Sequence, residues 1–503
     1  MAVDLYNING SPPCGAVRML AKILGLSVNV KDLDLFGGEH RKPDYVKLNP
    51  FSRVPTLVDD GFVLYESNAI LYYLINKYQP DSELYPKCPK ARANVDKILA
   101  AITSTIQPHY FAFFRPRFFD LKKPTEEDIA KLEDNVLRGL GHLAGDGKYA
   151  VGNSLTLADI SLVAHLTLPF ELKFAGPEKF PKLVSYYNTI KEELPGFEEI
   201  NRPGFEGLTR RIAQLASALG VTPAVATVNN PKQSNTSCET AEHTILRPKN
   251  ISLAPTSGTL ADILYPAGSS AKARNLILFL QKDKDTDMTI DLYNTSGSPP
   301  CRTVRMVAKV LGVPLNVKDL DLVGQANHKP EFVKLNPFKK IPTLVDDGFA
   351  VYESNAILYY LINKYAPDTP LYPKCPKARA KVDIILATIT SNIQPHYFDF
   401  FRQRFFELRK PTPEELVELE ENVLRGFEHL VGDGKYAVGD SLTVADVALV
   451  VYLSTPLELK FASPEKFPKL ASYYNRIKQE LPGYEEINRP GLELMLKRIE
   501  QLA

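Results

Sequence analysis

Glu66-Ser67-Asn68-Ala69-Ile70-Leu71-Tyr72-Tyr73-Leu74-Ile75-Asn76-Lys77-Tyr78 recurs without a change as Glu353–Tyr365. The offset is 287 residues, and it also relates Leu84–Ala93 (LYPKCPKARA) to Leu371–Ala380, Ser11 to Ser298, and Pro55 to Pro342. One offset over so many positions means that the chain carries a single unit twice. Copy one runs over residues 1–216 and copy two over 288–503. Residues 217–287 belong to neither. That stretch holds Pro223, Pro231, Pro248, Pro255 and Pro266 among clusters of Ser, Thr and Asn. Its composition reads as a loosely ordered linker. An equally good reading is intervening sequence translated between two adjacent genes, since copy two opens on its own Met288.

Within each copy the periodicity changes once. Residues 1–80 and 288–367 alternate short β-type runs with helical ones, which predicts an α/β unit. Residues 88–216 and 375–503 carry only helical signals. Ala91, Val95, Ile98, Leu99, Ile102 and Ile106, for example, fall on one face of a continuous helix. Thr156-Leu157-Ala158-Asp159 and Thr443-Val444-Ala445-Asp446 have capping-box spacing, so Asp159 and Asp446 read as structural caps rather than catalytic acids.

The 503 residues are 44% hydrophobic and 24% charged, the balance of an ordinary globular protein. Lys and Arg number 60 against 59 Asp and Glu, which leaves no bulk basic field for nucleic acid or an anionic membrane surface. No apolar run approaches the length of a membrane span, and no secretory leader pattern precedes Val3. Cys14, Cys88, Cys238, Cys301 and Cys375 are too few and too scattered for a disulfide framework or a metal site. These readings point to a reducing, cytoplasmic setting without a metal or a permanently bound cofactor.

The candidate chemistry lies at helix starts. Gly10-Ser11-Pro12-Pro13-Cys14 and Gly297-Ser298-Pro299-Pro300-Cys301 place a serine ahead of a Pro-initiated helix, which taken alone describes an N-cap. Val54-Pro55 and Ile341-Pro342, each ahead of a strand, suggest a cis peptide whose preceding residue offers its backbone to a bound peptide. Glu66-Ser67 and Glu353-Ser354 would present a hydroxyl and helix N-terminal amides to a carboxylate. Together these features describe a site for a small acidic tripeptide.

Over nearly all of both copies the chain resembles the cytosolic glutathione transferases, in particular the arthropod delta and epsilon classes. The resemblance implies a thioredoxin-like N-terminal domain and an all-helical C-terminal domain, twice over. It also implies glutathione as co-substrate and an apolar electrophile as its partner. By position, Ser11 and Ser298 match the catalytic serine, and Val54 and Ile341 the residue that pairs with the glutathione backbone. Glu66, Ser67, Glu353 and Ser354 match the binders of the γ-glutamyl end. His40 matches a histidine at the glycyl end, where copy two has Asn327. Ser52 and Lys339 replace a second family histidine, leaving Arg53, Lys339 and Lys340 to supply positive charge there.

A serine where a Cys-x-x-Cys motif would have its exposed thiol argues against disulfide exchange. Lowering a thiol pKa of about 8.5 by one to two units takes about 1.4 to 2.7 kcal/mol, which matches one hydroxyl hydrogen bond to a charged sulfur. Tyr6 and Tyr293 are rival hydroxyls, but their place inside the first strand favours core packing. The aromatic run around Tyr110, Phe114 and Phe118, mirrored by Tyr397, Phe401 and Phe405, reads alone as core. The resemblance turns it toward the wall of a co-substrate pocket. Glutathione-dependent isomerisation or peroxide reduction is the rival activity, and a non-catalytic ligand-binding or docking module the rival from another class. Family members form two-fold dimers, so the tandem chain is expected as an intramolecular pseudo-dimer or a homo-oligomer. Gly15 in copy one stands where copy two has Arg302, a difference of one positive group beside the serine turn.

Overall fold

The computed structural model describes residues 3–120, 122–174, 176, 178–218 and 289–501. Residues 219–288 lie outside it, and with them the two readings of the 217–287 stretch, except that its first two residues end helix Phe197–Ala218. Each copy opens on a four-stranded mixed sheet. In copy one, β1 (Val3–Asn7) pairs in parallel with β2 (Val28–Asp32) and antiparallel with β3 (Thr56–Asp59), which pairs with β4 (Phe62–Tyr65). The strand order β2-β1-β3-β4 recurs as β6-β5-β7-β8, with β5 Asp291–Asn294, β6 Asn316–Asp319, β7 Thr343–Asp346 and β8 Phe349–Tyr352. A parallel pair needs a crossover, here helix Pro12–Ile23 or Pro299–Leu311. In both helices two prolines occupy the first turn, where the missing N–H groups would have had no intrahelical partner. The arrangement is thioredoxin-like, and a helical domain follows it in each copy.

The exact repeat has a physical basis. Asp59 Oδ2 accepts hydrogen bonds from the Tyr73 hydroxyl (2.9 Å), the Tyr78 hydroxyl (2.8 Å) and Lys77 Nζ (2.5 Å), so helix Ser67–Tyr78 is tied to the end of β3. Asp346 holds Tyr360, Tyr365 and Lys364 in the same way. Asn68 Nδ2 donates to the Leu99 carbonyl at 3.0 Å, binding the two domains of copy one together, and Asn355 repeats the bond on Leu386. The other face of the segment meets the other copy. Helix Ser67–Tyr78 packs on Pro376–Thr388, helix Ser354–Tyr365 packs on Pro89–Ala101, and the Tyr72 and Tyr359 rings meet edge to face at 5.8 Å. Hardly a position of this helix is free to vary.

Helices Leu157–Glu171 and Val444–Glu458 are buried almost all round, as a helix apolar on every side must be. Asp159 is fully buried and accepts from the amides of Ala150 and Thr156 and from the hydroxyls of Thr156 and Tyr186, all within 2.7–2.8 Å. Asp446 repeats the pattern with Ala437, Thr443 and Tyr473. Every donor is structural, which agrees with the capping role. The long helix expected through Ile106 departs from its pattern at Ile102–Ile106, where it widens into a π-helical turn. The same happens at Ile389–Ile393. These turns aim Ser104, Thr105, Ser391 and Asn392 at the opposite copy.

Near that junction lie two buried carboxyls. Asp96 Oδ1 accepts from Tyr85 (2.8 Å), and Asp383 Oδ1 from Tyr359 (2.8 Å) and Tyr372 (2.7 Å), while Oδ2 of each has no partner. Burial pushes Asp96 up to about 7 and Asp383 up to about 6, against the pull of the tyrosine hydroxyls. In the unfolded chain both ionise near 3.9, so the native state holds extra protons between about pH 4 and 7, and stability falls as pH rises through that window. Thermal melts of the Asp96→Asn, Asp383→Asn chain should therefore show a flatter midpoint than wild type between about pH 5 and 8, since a difference of one in a carboxyl pKa between the folded and unfolded chain is worth about 1.4 kcal/mol. An unchanged slope would place both carboxyls in contact with solvent.

Candidate active site

Ser11 sits in extended backbone ahead of helix Pro12–Ile23, and Ser298 likewise ahead of Pro299–Leu311. Ser11 makes no capping bond, while Ser298 Oγ accepts the Cys301 amide at a long 3.4 Å. Both hydroxyls therefore remain available to a ligand. The Val54–Pro55 and Ile341–Pro342 peptides are cis. Glu66 and Glu353 stand at φ +66° and +70°, a backbone region that side-chain-bearing residues seldom occupy and that recurs at binding sites. That conformation starts helix Ser67–Tyr78 (and Ser354–Tyr365) at the cavity, with the Ser67 or Ser354 hydroxyl and its amides at the mouth.

In copy one, Ser11, His40, Arg53, Val54, Glu66 and Ser67 share one cavity of about 550 Å³ with Tyr110, Phe114 and Phe118. In copy two, Ser298, Lys339, Lys340, Ile341, Glu353 and Ser354 share one of about 610 Å³ with Tyr397, Phe401 and Phe405. The aromatic side chains are thus core and wall at once: Tyr110 and Phe114 are buried, with ring centroids 4.4 Å apart, yet line the opening. Tyr6 and Tyr293 line neither cavity. Their rings pack on Tyr45 (5.5 Å) and Phe332 (5.4 Å), in keeping with a packing role. Burial pushes the Cys14 and Cys301 thiols up to about 11, so neither is a poised nucleophile.

The residues expected at the glycyl end differ between copies. His40 Nδ1 is buried without a partner, and desolvation, helped by Arg41, depresses its pKa. Its counterpart Asn327 is already committed, donating to the Lys339 carbonyl at 2.7 Å. Lys340 Nζ donates to Thr105 Oγ1 of copy one at 2.9 Å, so its charge sits at the junction of the copies as well as on the cavity wall.

Three features of the site have no contiguous motif behind them. Ser391 of copy two lines the copy-one cavity, and Ser104 of copy one lines the other. Glu66 accepts from Ser391 Oγ (2.9 Å) and Asn392 Nδ2 (2.6 Å), and Glu353 from Ser104 Oγ (2.7 Å) and Thr105 Oγ1 (3.3 Å). Leu208 and Met495, from the last helix of each copy, close the cavities from above the serine turns. Gly204 and Gly491 permit that approach, because a β-carbon at either would collide with backbone at Gly10 or Ser296. The third feature is Arg302, which turns away from solvent into the protein. Only the last had a signal in the sequence, as the Gly15/Arg302 difference.

Residues 1–76 match the model of the glutathione S-transferase N-terminal domain, and residues 292–369 match a second model of that domain. Residues 102–193 and 376–480 match the glutathione S-transferase C-terminal domain. The chain belongs to the glutathione S-transferase family and carries its two domains twice. Among solved structures it is similar to a delta-class glutathione transferase of Nilaparvata lugens, at 34% identity over 42% of this chain and 100% of that one, TM-score 0.40. A Bombyx mori glutathione transferase is 31% identical over 42% and 98%, TM-score 0.40. An epsilon-class enzyme of the housefly, Musca domestica, is 29% identical over 42% and 98%, TM-score 0.40. No helix among the described residues is long and apolar enough to cross a membrane.

Proposed function

We propose that both copies conjugate the glutathione thiolate to apolar electrophiles, as in detoxification in the cytoplasm, with Ser11 and Ser298 holding the thiolate. The observation that carries this reading is the meeting, in each cavity, of a serine at a helix N-terminus with an aromatic wall. The γ-glutamyl carboxylate is received by Ser67 or Ser354 with the helix amides, and its ammonium by Glu66 or Glu353. Val54 or Ile341 pairs with the cysteinyl backbone. His40 and Arg53, or Lys339 and Lys340, take the glycyl carboxylate. The thiol then lies at the serine, where the hydroxyl donates to sulfur and the helix N-terminus favours negative charge. The proton leaves to water, and sulfur forms a bond to an electrophilic carbon held against Tyr110 and Phe114 or Tyr397 and Phe401, while the leaving group, a halide for example, departs with the electron pair of the bond that breaks.

The test is retention of the full chain on immobilised glutathione, followed by glutathione consumption with a reactive apolar halide. Retention without consumption would replace the enzyme with a binding module. The two copies form an intramolecular pseudo-dimer in this reading, and light scattering should give a mass near 56.2 kDa that stays constant on dilution. A mass climbing in multiples with concentration would mean pairing between chains.

A further inference from the structure

Gln107 and Gln394 stand at the head of the aromatic helices, Gln107–Phe119 and Gln394–Phe406, and each lines the cavity of its own copy. The two glutamines match by position, but their buried partners do not: His165 in copy one is Tyr452 in copy two. A side-chain amide carries an acceptor oxygen and a donor nitrogen, so whichever atom the protein holds leaves the other to a ligand.

In copy one the chemistry of His165 fixes the choice. His165 is 1% exposed, and burial depresses its pKa to about 4, so the ring is neutral at ordinary pH and carries one N–H. Nδ1 lies 2.7 Å from the Ser161 carbonyl, which can only accept, so the proton is on Nδ1. Nε2 is then a bare acceptor, and the Gln107 atom 3.1 Å from it is the donor, Nε2 of the amide. Gln107 Oε1 has no partner among the described residues. In copy two the hydroxyl of Tyr452, also buried, donates to Gln394 Oε1 at 2.5 Å. Here it is Gln394 Nε2 that has no partner among the described residues. Both glutamines are half-buried, and neither free atom is sealed off from the cavity.

We propose that this amide gives the two copies different polar selectivity: copy one, presenting Gln107 Oε1, favours co-substrates that carry a hydrogen-bond donor such as a hydroxyl, while copy two, presenting Gln394 Nε2, accepts an ether oxygen equally well. The inference rests on the transferase reading given above. The bond-making step is the same in both copies: sulfur displaces chloride from carbon, and chloride leaves with the electron pair. What differs is the reception of a second polar group on the co-substrate. An alcohol donates to Oε1 or accepts from Nε2. An ether only accepts, so against Oε1 its oxygen gives up water and gains nothing in return. Gln107 and Gln394 meet the co-substrate, and His165 and Tyr452 are positioning residues behind them.

The test compares 4-(hydroxymethyl)benzyl chloride with 4-(methoxymethyl)benzyl chloride, two halides with the same reacting carbon, following glutathione consumption by the full chain. In a Ser298→Ala chain, reporting on copy one, kcat/KM for the alcohol should exceed that for the ether about tenfold, the value of one hydrogen bond. In a Ser11→Ala chain, reporting on copy two, the two should agree within about threefold. Tyr452→His, added to the Ser11→Ala chain, gives Gln394 a partner that holds its nitrogen and should bring the alcohol preference with it. Gln107→Leu, added to the Ser298→Ala chain, should abolish that preference. Disturbed packing lowers both substrates together, so the ratio reads the amide. Equal ratios in the two single-serine chains would overturn the inference, as would an active Tyr452→His chain that gains no preference. A copy-one preference that survives Gln107→Leu would be one of size and would overturn it too. Consumption of neither halide by the unaltered chain would remove the transferase reading itself, and the inference with it.

Discussion

The Ser11→Ala, Ser298→Ala chain should lose about 10- to 100-fold in kcat/KM for conjugation at neutral pH while holding glutathione within a few-fold of wild type, because each hydroxyl contributes one charge-assisted bond of about 1.5–3 kcal/mol to sulfur alone. Neither serine is needed by the fold. Ser11 makes no capping bond and Ser298 only a long one. In the proposed binding mode the tripeptide's two carboxylates and its ammonium are met by other residues, so affinity and turnover separate. The loss should also depend on pH. Without the hydroxyl the bound thiol returns toward its ordinary pKa of about 8.5, so the defect is largest near pH 6.5 and shrinks above about pH 9 as the thiol ionises unaided. A glutathione titration beside a pH–rate profile reads both effects. Wild-type turnover at pH 6.5 would mean that another group activates the thiol, and a uniform loss at all pH values would mean that the serines position glutathione rather than ionise it.

How far the sequence revealed this site depends on how local each feature is. The serine turns, the X-Pro bonds and the Glu-Ser helix starts are contiguous motifs, and each lies on its cavity. The change of periodicity after residue 80 gave the two domains, because a half-buried strand and a buried helix repeat differently. The π-helical turns carry no such mark: Ile102, Thr103, Ser104, Thr105 and Ile106 continue a helical pattern, and the extra residue is evident only in the backbone. Contacts between copies span hundreds of residues, so no spacing rule encodes them. Arg302 was visible as a difference but not as a buried group. Its partners include Ser454 and Thr455, more than 150 residues away, which changed with it.

Glu66 supports a second large effect, measurable across the junction of the copies. Burial raises its pKa, and Arg53 and the donors Ser391 and Asn392 oppose that rise. Both donors belong to copy two, yet in the proposed binding mode the ammonium of glutathione in copy one needs Glu66 ionised. In a Ser298→Ala chain, whose activity reports copy one, Ser391→Ala with Asn392→Leu should raise KM for glutathione about tenfold or more, since each lost donor to a charged acceptor costs about 1.5–3 kcal/mol. In a Ser11→Ala chain the same pair should leave KM of copy two nearly unchanged, because Glu353 takes its donors from Ser104 and Thr105 instead. The sign of the pH effect follows from the raised carboxyl. Removing donors raises it further, so the defect should deepen as pH falls and shrink as pH rises and Glu66 ionises. An unchanged KM in the first chain would mean that solvent, rather than the other copy, satisfies Glu66. A defect confined to the second chain would mean that Ser391 and Asn392 act within their own copy, and the pseudo-dimer could not then be the active arrangement.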